Sequence, residues 1–188
     1  MNVYDFDKTI YNGDSTLDFY FFCLKKKPFI LKRFSKQFYS AIRYKLKKIT
    51  KTEFKEKFYT FLYDLDNVDN LLELFWNKNQ NKIKDFYLKQ KRDDDVIISA
   101  SPTFLLEPIC KKLNIKYLIA SKVDKHTGKY TGTNCYGEEK VRRFDELFTN
   151  SPIDNFYSDS LSDTPIAKLA RHAFLVSGNS IKKWKEDA

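Results

Sequence analysis

Four acidic side chains in this sequence fall into two short groups that could act as one site. Asp5 and Asp7 lie in the run Asp5-Phe6-Asp7-Lys8-Thr9, and Asp159 and Asp163 follow a second apolar stretch that ends near Tyr157. Ligands gather where the strands of a parallel sheet end, so carboxylates from neighbouring strands would meet in one crevice. Unit charges about 4 Å apart repel by roughly 4 kcal/mol at an effective dielectric constant of 20. Such a cluster stays ionised only beside positive charge.

A hard divalent cation is the counter-charge that fits these residues best. Mg²⁺ takes oxygen ligands and is usually held by one or two carboxylates together with substrate phosphate. The two histidines and three cysteines lack the spacing of metal ligands, so no zinc site is expected. Lys140, at the start of a predicted helix, could supply a second positive charge.

A hydroxyl group and a helix start accompany the acids. Ser99 follows the apolar residues 96–98, Ser101 is a good N-cap, and Pro102 is a good first helical residue. Backbone N–H groups at a helix N-terminus bind anions, and phosphoryl transfer depends mainly on positioning and charge neutralisation. Each residue alone has an ordinary explanation as a cap, a turn or a solvated side chain. Their order and placement together favour a phosphoryl site.

The residues around these groups alternate between short apolar runs and helical patterns. Strands are predicted at 2–4, 96–98, 117–120, 156–157 and 174–176, and helices at 103–113, 137–148 and 164–171. This alternation predicts an α/β fold, with a doubly wound, Rossmann-like parallel sheet covered by helices on both faces. Gly128 marks a tight hairpin turn appended to that sheet.

The long segment between the first two strands has helical patterns only. Its first long helix should bury one apolar stripe, made of Leu31, Phe34, Phe38, Ile42, Leu46 and Ile49. Thr50 and Glu53 form a capping box that opens a second helix, and a third pattern spans about 70–90. We therefore predict a core of residues 1–13 and 90–188 and an inserted all-helical cap of residues 14–89.

Positive charge is concentrated in the predicted cap. Residues 19–60 hold 13 Lys and Arg against two Glu, a net charge of +11, whereas the whole chain is +9, so the remainder sums to −2. Aromatic residues are interleaved with these charges. The segment could face an anionic substrate or an acidic membrane surface, or it could be a solvated surface without a partner. No nucleic-acid partner is expected, because no nucleic-acid-binding motif is found.

The overall composition is typical of a folded protein. The 188 residues are 42% hydrophobic with five Gly and five Pro, which excludes collagen-like and wholly disordered chains. The longest uninterrupted apolar run has six residues, far from the roughly 20 that cross a bilayer, and no secretion signal is found. We expect a cytoplasmic protein with reduced cysteines, and the basic cap allows peripheral contact with an anionic membrane.

These groups resemble, in order, the four motifs of the haloacid dehalogenase superfamily of aspartate-nucleophile hydrolases, over nearly the whole chain. The motifs are similar to Asp5 to Thr9, Ser99, Lys140, and Asp159 to Asp163. The resemblance implies that Asp5 attacks phosphorus and forms an aspartyl-phosphate. It also implies that Asp7 protonates the leaving oxygen and then activates water.

The same resemblance implies the ligands of the metal and of the phosphoryl group. Mg²⁺ would be held by the Asp5 carboxylate, the Asp7 backbone carbonyl and Asp159, with Asp163 in support through water or through Lys140. The phosphoryl oxygens would be held by Thr9, Ser99, Ala100 and Lys140. An acid at Asp7 favours phosphatase over dehalogenase chemistry, because a departing alkoxide needs a proton donor.

The predicted cap resembles the small cap of the subfamily with phosphoserine phosphatases and a bacterial phosphatidylglycerophosphate phosphatase. Asp14 stands where the phosphoserine enzymes carry a Glu that meets the substrate amine. Their cap also uses an Arg, but residues 54–62 have Lys and no Arg, which disfavours phosphoserine. The basic, aromatic cap instead allows a larger polyanionic or lipid-like phosphate. The resemblance implies a Mg²⁺-dependent phosphomonoester hydrolase. The alternative is a membrane-surface or anion-binding protein whose basic cap docks on acidic lipid, including a lipid-phosphate phosphatase.

Overall fold

A six-stranded sheet organises the part of the chain that the structure describes. The structure is a computed structural model, and it describes residues 1–149 and 151–185; residues 150 and 186–188 of the predicted core lie outside that part. The sheet order is β3-β2-β1-β4-β5-β6, with β1 to β5 parallel and β6 antiparallel to β5. The strands are β1 (Asn2–Tyr4), β2 (Val96–Pro102), β3 (Tyr117–Ser121), β4 (Ile153–Ser158), β5 (Ala170–Ser177) and β6 (Ser180–Lys183). The predicted α/β, Rossmann-like class is confirmed.

Eight α-helices occupy the described residues, and five of them lie between β1 and β2. These five are α1 (Ser15–Lys26), α2 (Phe34–Lys45), α3 (Lys51–Phe58), α4 (Val68–Asn79) and α5 (Asp85–Gln90). The other three are α6 (Thr103–Lys112), α7 (Glu138–Leu147) and α8 (Thr164–Ala167). Short 3-10 helices at Pro28–Arg33 and Tyr59–Asp64 precede α2 and follow α3. The division of the chain into a core and a cap stays a prediction, and "cap" below means residues 14–89.

The central strand β1 determines where a site can form. All three of its residues are buried, as expected for a strand covered on both faces, and Val3 pairs with Val96 on one side and Phe156 on the other. The chain continues from β1 to β2 on one side and reaches β4 on the other only later, so the winding direction reverses at β1. Such a reversal opens a crevice at the carboxyl ends of β1 and β4.

Some predicted elements differ from the structure because tertiary pairing extends them, cuts them or adds a strand. Strand β2 continues through Pro102, so α6 begins at Thr103 and Ser101 is not its N-cap. The helix predicted at 164–171 is only α8, since β5 already begins at Ala170. Strand β6 was not predicted: all four of its residues are exposed, and it lacks the apolar pattern of a buried strand.

The predicted buried stripe of the first long cap helix is also wrong. Phe34, Phe38, Ile42 and Leu46 are between 42% and 59% exposed, and Leu31 is exposed as well. The buried residues of α2 are instead Gln37 and Ser40. The Gln37 side chain donates to the Phe58 carbonyl (2.8 Å) and accepts from the Tyr20 hydroxyl (3.2 Å). Polar contacts therefore fix the helix with its apolar face outward.

The rest of the cap shares an apolar cluster with the sheet. Phe6, in the turn after β1, contacts the fully buried Trp76 of α4 edge to face at 6.0 Å, and the Trp76 indole N–H donates to the Leu105 carbonyl of α6 at 2.7 Å. A hairpin after β3, closed by a bridge between Val123 and Tyr130, contacts the cap as well, since the Tyr130 amide donates to the Glu56 carboxylate at 2.9 Å. No helix among the described residues is long and apolar enough to cross a membrane.

Candidate active site

The turn after β1 carries the first pair of acids. The Asp5 amide donates to the Tyr157 carbonyl of β4 (2.9 Å), which fixes the end of β1 against its neighbour. Lys8 then adopts a positive φ of 58°, and the Lys84 ammonium group donates to the Lys8 carbonyl (2.6 Å) and the Gly178 carbonyl (2.8 Å). The buried Lys84 thus stabilises a turn whose positive φ is a backbone conformation that few L-residues adopt easily.

A buried lysine joins the ends of β1 and β4. The Lys140 ammonium group, on the first turn of α7, lies 2.7 Å from Asp5 Oδ1 and 2.7 Å from Asp163 Oδ2. Only 2% of the Lys140 side chain is exposed. Asp163 Oδ2 also accepts from the Ser158 hydroxyl at 2.7 Å. The sequence separates these charges by up to 158 residues, and the fold brings them into direct contact.

Burial and charge act in opposite directions on this cluster. Burial raises the pKa of Asp5 to about 7, with Asp163 adding to the rise and Lys140 opposing it. Burial alone would lower the pKa of Lys140, but the Asp5 and Asp163 carboxylates raise it above its ordinary value. The ammonium group therefore stays charged at neutral pH. Since the pKa of Asp5 is raised even beside Lys140, further positive charge is needed to keep the Asp5 carboxylate ionised.

Asp7 is held by two serines that had not been predicted as site residues. Its Oδ1 accepts from the Ser15 amide at 2.6 Å, at the start of α1, and its Oδ2 accepts from the Ser101 hydroxyl. Burial and the nearby Asp14 raise the pKa of Asp7 to about 6, while the two serine contacts lower it. A carboxyl group with a pKa near neutrality can both give and take a proton.

Thr9 and Asp159 link the two strand ends. The Thr9 hydroxyl accepts from the Asp159 amide at 2.9 Å and lies 3.4 Å from Asp5 Oδ2. Thr9 is fully buried and does not line the cavity, so its observed contacts position Asp5 and Asp159. Its contact with phosphoryl oxygens stays a prediction. Burial raises the pKa of Asp159, and Lys8 opposes that rise.

An irregularity at the end of β2 shapes the next part of the site. Ser99 pairs with Ala120, but the next pairing is Pro102 with Ser121, so two residues of β2 bulge from the ladder. The Ser101 amide donates to the Ser99 hydroxyl (3.1 Å), and the bulge brings the Ser101 side chain to Asp7. This is why Ser101 reaches the site rather than capping α6.

The cap contributes basic and apolar side chains to the opposite wall. The Lys55 ammonium group of α3 donates to the Ala100 carbonyl at 2.8 Å, and burial together with Lys51 lowers the pKa of Lys55 to about 8. Asp14 is the N-cap of α1 and accepts from the Leu17 amide at 3.0 Å. Nothing in the sequence pattern distinguished Lys55 from the other cap lysines.

All but one of the predicted site residues line a single cavity of about 410 Å³ at the crevice. From the core they are Asp5, Asp7, Ser99, Ala100, Lys140, Asp159 and Asp163, and from the cap Asp14. Ser101, Lys51, Lys55, Phe54 and Phe58 line the same cavity without having been predicted. Buried acids, a buried lysine and hydroxyl groups thus line one open cavity, which suits a phosphorylated ligand.

The oxygen donors of this cavity fit a hard divalent cation. The Asp159 carboxylate accepts no hydrogen bond from any other residue that the structure describes, and Asp5 Oδ2 has only the 3.4 Å contact with Thr9. Within the described ranges, no three His, Cys, Asp or Glu side chains are grouped tightly enough to hold a metal by themselves. The predicted ligand set, which stays a prediction, has only two carboxylates and is completed by a backbone carbonyl.

A family model and solved structures match most of the chain. Residues 3–168 match the model described as haloacid dehalogenase-like hydrolase. A protein of unknown function from Bordetella pertussis superposes with a TM-score of 0.70 at 20% identity, covering 92% of this chain and 87% of that one. A phosphoserine phosphohydrolase-like protein from Francisella tularensis gives a TM-score of 0.55 at 18% identity, covering 92% and 86%. At these identities the likeness concerns the fold.

A sequence relative matches over a shorter stretch. A probable phosphatase of Mycobacterium tuberculosis is 34% identical over 91 residues, which is 45% of this chain and 32% of the relative. The match therefore spans about a third of the relative's length.

Proposed function

The chain belongs to the haloacid dehalogenase-like hydrolase family, and from this premise we propose that it is a Mg²⁺-dependent phosphomonoester hydrolase that acts through an aspartyl-phosphate. The observation that carries the proposal is the contact of Lys140 with Asp5 and Asp163, next to Asp7, in one cavity. A similar protein from M. tuberculosis is named a probable phosphatase, in agreement with the proposed phosphatase activity.

Asp5 is the proposed nucleophile. Its Oδ1 is engaged by Lys140, so Oδ2 is the oxygen with lone pairs available for attack on phosphorus. The new bond joins Oδ2 to phosphorus, and the bond from phosphorus to the alkoxide oxygen breaks. Two strand ends and a buried lysine hold the carboxylate, which lowers the entropic cost of aligning it with the leaving group.

Asp7 is the proposed acid and base. It donates its proton to the departing alkoxide oxygen, and as a carboxylate it then takes a proton from water. The water oxygen attacks phosphorus, the bond to Asp5 breaks, and inorganic phosphate leaves. The contacts with Ser15 and Ser101 hold the Asp7 carboxyl in place, and its pKa of about 6 suits both transfers near neutral pH.

Charge neutralisation is assigned to Lys140, Ser99 and the amide of Ala100, which would contact the phosphoryl oxygens. The Asp5 carboxylate, the Asp7 carbonyl and Asp159 would hold Mg²⁺, with Asp163 acting through Lys140. The bound ion would supply positive charge that offsets the phosphoryl oxygens and the clustered acids.

The cap wall suits a substrate with an apolar portion and a further negative charge. Lys51 and Lys55 lie on the same helix as Phe54 and Phe58, and all four line the cavity. Asp14 stays a candidate for selecting the substrate. We propose a small phosphorylated substrate of this kind, with phosphoserine less favoured because no Arg is present in residues 54–62.

A second candidate function is binding of the basic cap to an anionic membrane surface. One observation favours it: the net charge of +11 in residues 19–60 against −2 in the rest of the chain. The two functions are compatible, since of the basic residues in this segment only Lys51 and Lys55 line the cavity.

The nucleophile is tested by Asp5→Asn in an assay with p-nitrophenyl phosphate and Mg²⁺. We expect turnover to fall by about a thousandfold or more, since the attacking carboxylate is lost, while the circular dichroism spectrum is unchanged. Asp145→Asn, the same change on an exposed position of α7, should leave turnover intact. Undiminished hydrolysis by Asp5→Asn, or wild-type hydrolysis unaffected by a chelator, would contradict the proposal.

A further inference from the structure

The outward apolar face of α2 is a surface that the proposed catalysis does not use. Phe34 and Phe38 stack at 5.9 Å, and Ile42 and Leu46 continue the same side of the helix. Phe29 and Leu31, in the preceding 3-10 helix, are also about half exposed. We call these six residues the docking face. Large apolar side chains that cluster in solvent usually mark a site of interaction.

Internal contacts prevent this face from turning inward. Gln37 and Ser40 occupy the buried side of α2, and Gln37 is hydrogen-bonded to Phe58 and Tyr20. Rotating the helix to bury Phe38 would break both contacts and expose the buried amide. The apolar area is therefore available to a partner, and covering it would contribute about 25 cal/mol per Å² removed from water.

Exposed basic residues accompany the docking face on the same helix and in the loop after it. They are Lys36, Arg43, Lys45, Lys47 and Lys48. Apolar side chains on one face of a helix beside Lys and Arg are the composition of helices that lie in the membrane interface. Each Lys or Arg near an anionic leaflet contributes about 1 kcal/mol.

Charge distinguishes between the possible occupants. A second copy of this chain would bring one +11 segment against another, which is repulsive. An anionic bilayer offers negative charge at its surface and an apolar interior a few ångströms deeper, matching both components of the face. We propose that the docking face binds an anionic lipid bilayer, with Phe34 and Phe38 inserted and the adjacent lysines on the headgroups. The inference rests on the second candidate function and not on the catalytic roles.

Helix α2, whose outward side carries the docking face, also contacts the wall of the candidate active site. Tyr44, at the end of α2, stacks on Phe54 at 5.2 Å, and Phe54 lines the cavity.

The test measures co-sedimentation of the full chain with vesicles of phosphatidylcholine, with and without phosphatidylglycerol. We expect binding only to the vesicles with phosphatidylglycerol, and binding that weakens as salt is raised. The double variant Phe34→Ser and Phe38→Ser should bind these vesicles about tenfold more weakly or worse, because two inserted rings are lost. Leu147→Ser, at an equally exposed position on α7, is the matched control and should bind as the wild type does.

Several outcomes would overturn the inference. They are no binding to anionic vesicles, equal binding by the Phe34/Phe38 variant, and dimerisation that depends on these two residues. Tighter binding to oligonucleotides than to vesicles would also overturn it. Hydrolysis of p-nitrophenyl phosphate in the absence of vesicles should be the same in the wild type, the Phe34/Phe38 variant and the Leu147 variant. That assay reports on the phosphatase proposal alone, so either proposal can fail without the other.

Discussion

At the scale of single residues, Lys140 is the group on which the site depends most. A lysine that is 98% buried would be strongly destabilising without partners, and here two carboxylates accept from it at 2.7 Å. The same ion pairs fix the direction of Asp5 and tie α7 to the ends of β1 and β4. Structural and catalytic demands therefore coincide in one side chain.

Replacing Lys140 by Met should affect stability as well as catalysis. The change leaves Asp5 and Asp163 buried without their counter-charge, which costs about 3 kcal/mol or more when one partner of a buried ion pair is removed. Urea unfolding at neutral pH in the presence of a chelator measures this loss of stability, and the loss should shrink in acid as the Asp5 carboxyl, whose pKa burial raises to about 7, takes up a proton. Lys111→Met, on the exposed side of α6, is the control. Equal stability of the two variants would contradict the ionised pairing.

Most site residues could be predicted from the sequence because they lie in short polar runs directly after apolar strands. Asp5, Asp7, Ser99, Lys140, Asp159 and Asp163 were placed in one crevice from order and spacing, and the structure brings them into one cavity. Ser101 was predicted as a helix cap, since a bulge of two residues in β2 leaves no signal in the residue types. Lys55 could not be singled out, because its position depends on how α3 packs.

At the scale of elements, an ion pair joins the 3-10 helices on either side of α2 and α3. The Arg33 guanidinium donates to both oxygens of Asp64, at 2.7 and 3.1 Å, and Lys32 adds a contact at 2.9 Å. The Arg33 hydrogen bonds hold the pKa of Asp64 at about 2, below its ordinary value of 3.8, with Lys32 contributing in the same direction. The pair fixes the base of the outward-facing helix.

Asp64→Asn should lower the free energy of unfolding by about 1 kcal/mol at pH 6. Because the folded pKa is depressed, this stabilisation is complete above the unfolded pKa near 4 and is lost as the pH falls towards 2. The free energy of unfolding, measured in urea, should therefore differ less between the wild type and the variant at pH 3 than at pH 6. The exposed Asp66→Asn should show no such difference. A difference in the free energy of unfolding that grows in acid would contradict the stabilising ion pair between Arg33 and Asp64.

The prediction of elements succeeded where a strand contains a short apolar run and failed where tertiary contacts override the sequence pattern. The parallel strands have apolar runs that only a covered strand needs, so β1 to β5 were found. Helix α2 has the spacing of an ordinary amphipathic helix, but hydrogen bonds of Gln37 reverse which side is buried. Strand β6 consists of exposed residues and exists only because β5 offers it an edge.

At the scale of the whole molecule, the cap helices and the sheet share one apolar cluster. Its buried members include residues of β1 and β2, of α1 and α4, and of α6. Trp76 is central to it, with contacts to Phe6 and Tyr11 and a hydrogen bond to Leu105. Elements that bury their apolar surface in the same cluster lose their stability together.

We therefore expect a single unfolding transition. In a Trp184→Phe variant, Trp76 is the one remaining tryptophan and reports on the cap, whereas far-ultraviolet circular dichroism reports on all elements. Thermal and urea transitions followed by the two probes should coincide. A fluorescence change that precedes the loss of secondary structure would mean that the cap unfolds separately from the sheet.

The antiparallel strand β6 also affects whether two molecules of this protein can associate through the edges of their sheets. Without it, β5 would present an unpaired row of amide and carbonyl groups to any passing chain. Because β6 covers that row and itself carries Lys182 and Lys183, the border of the sheet is both occupied and positively charged. Two molecules that approach along this border repel each other before their strands can pair, so a short polar hairpin protects the protein against aggregation.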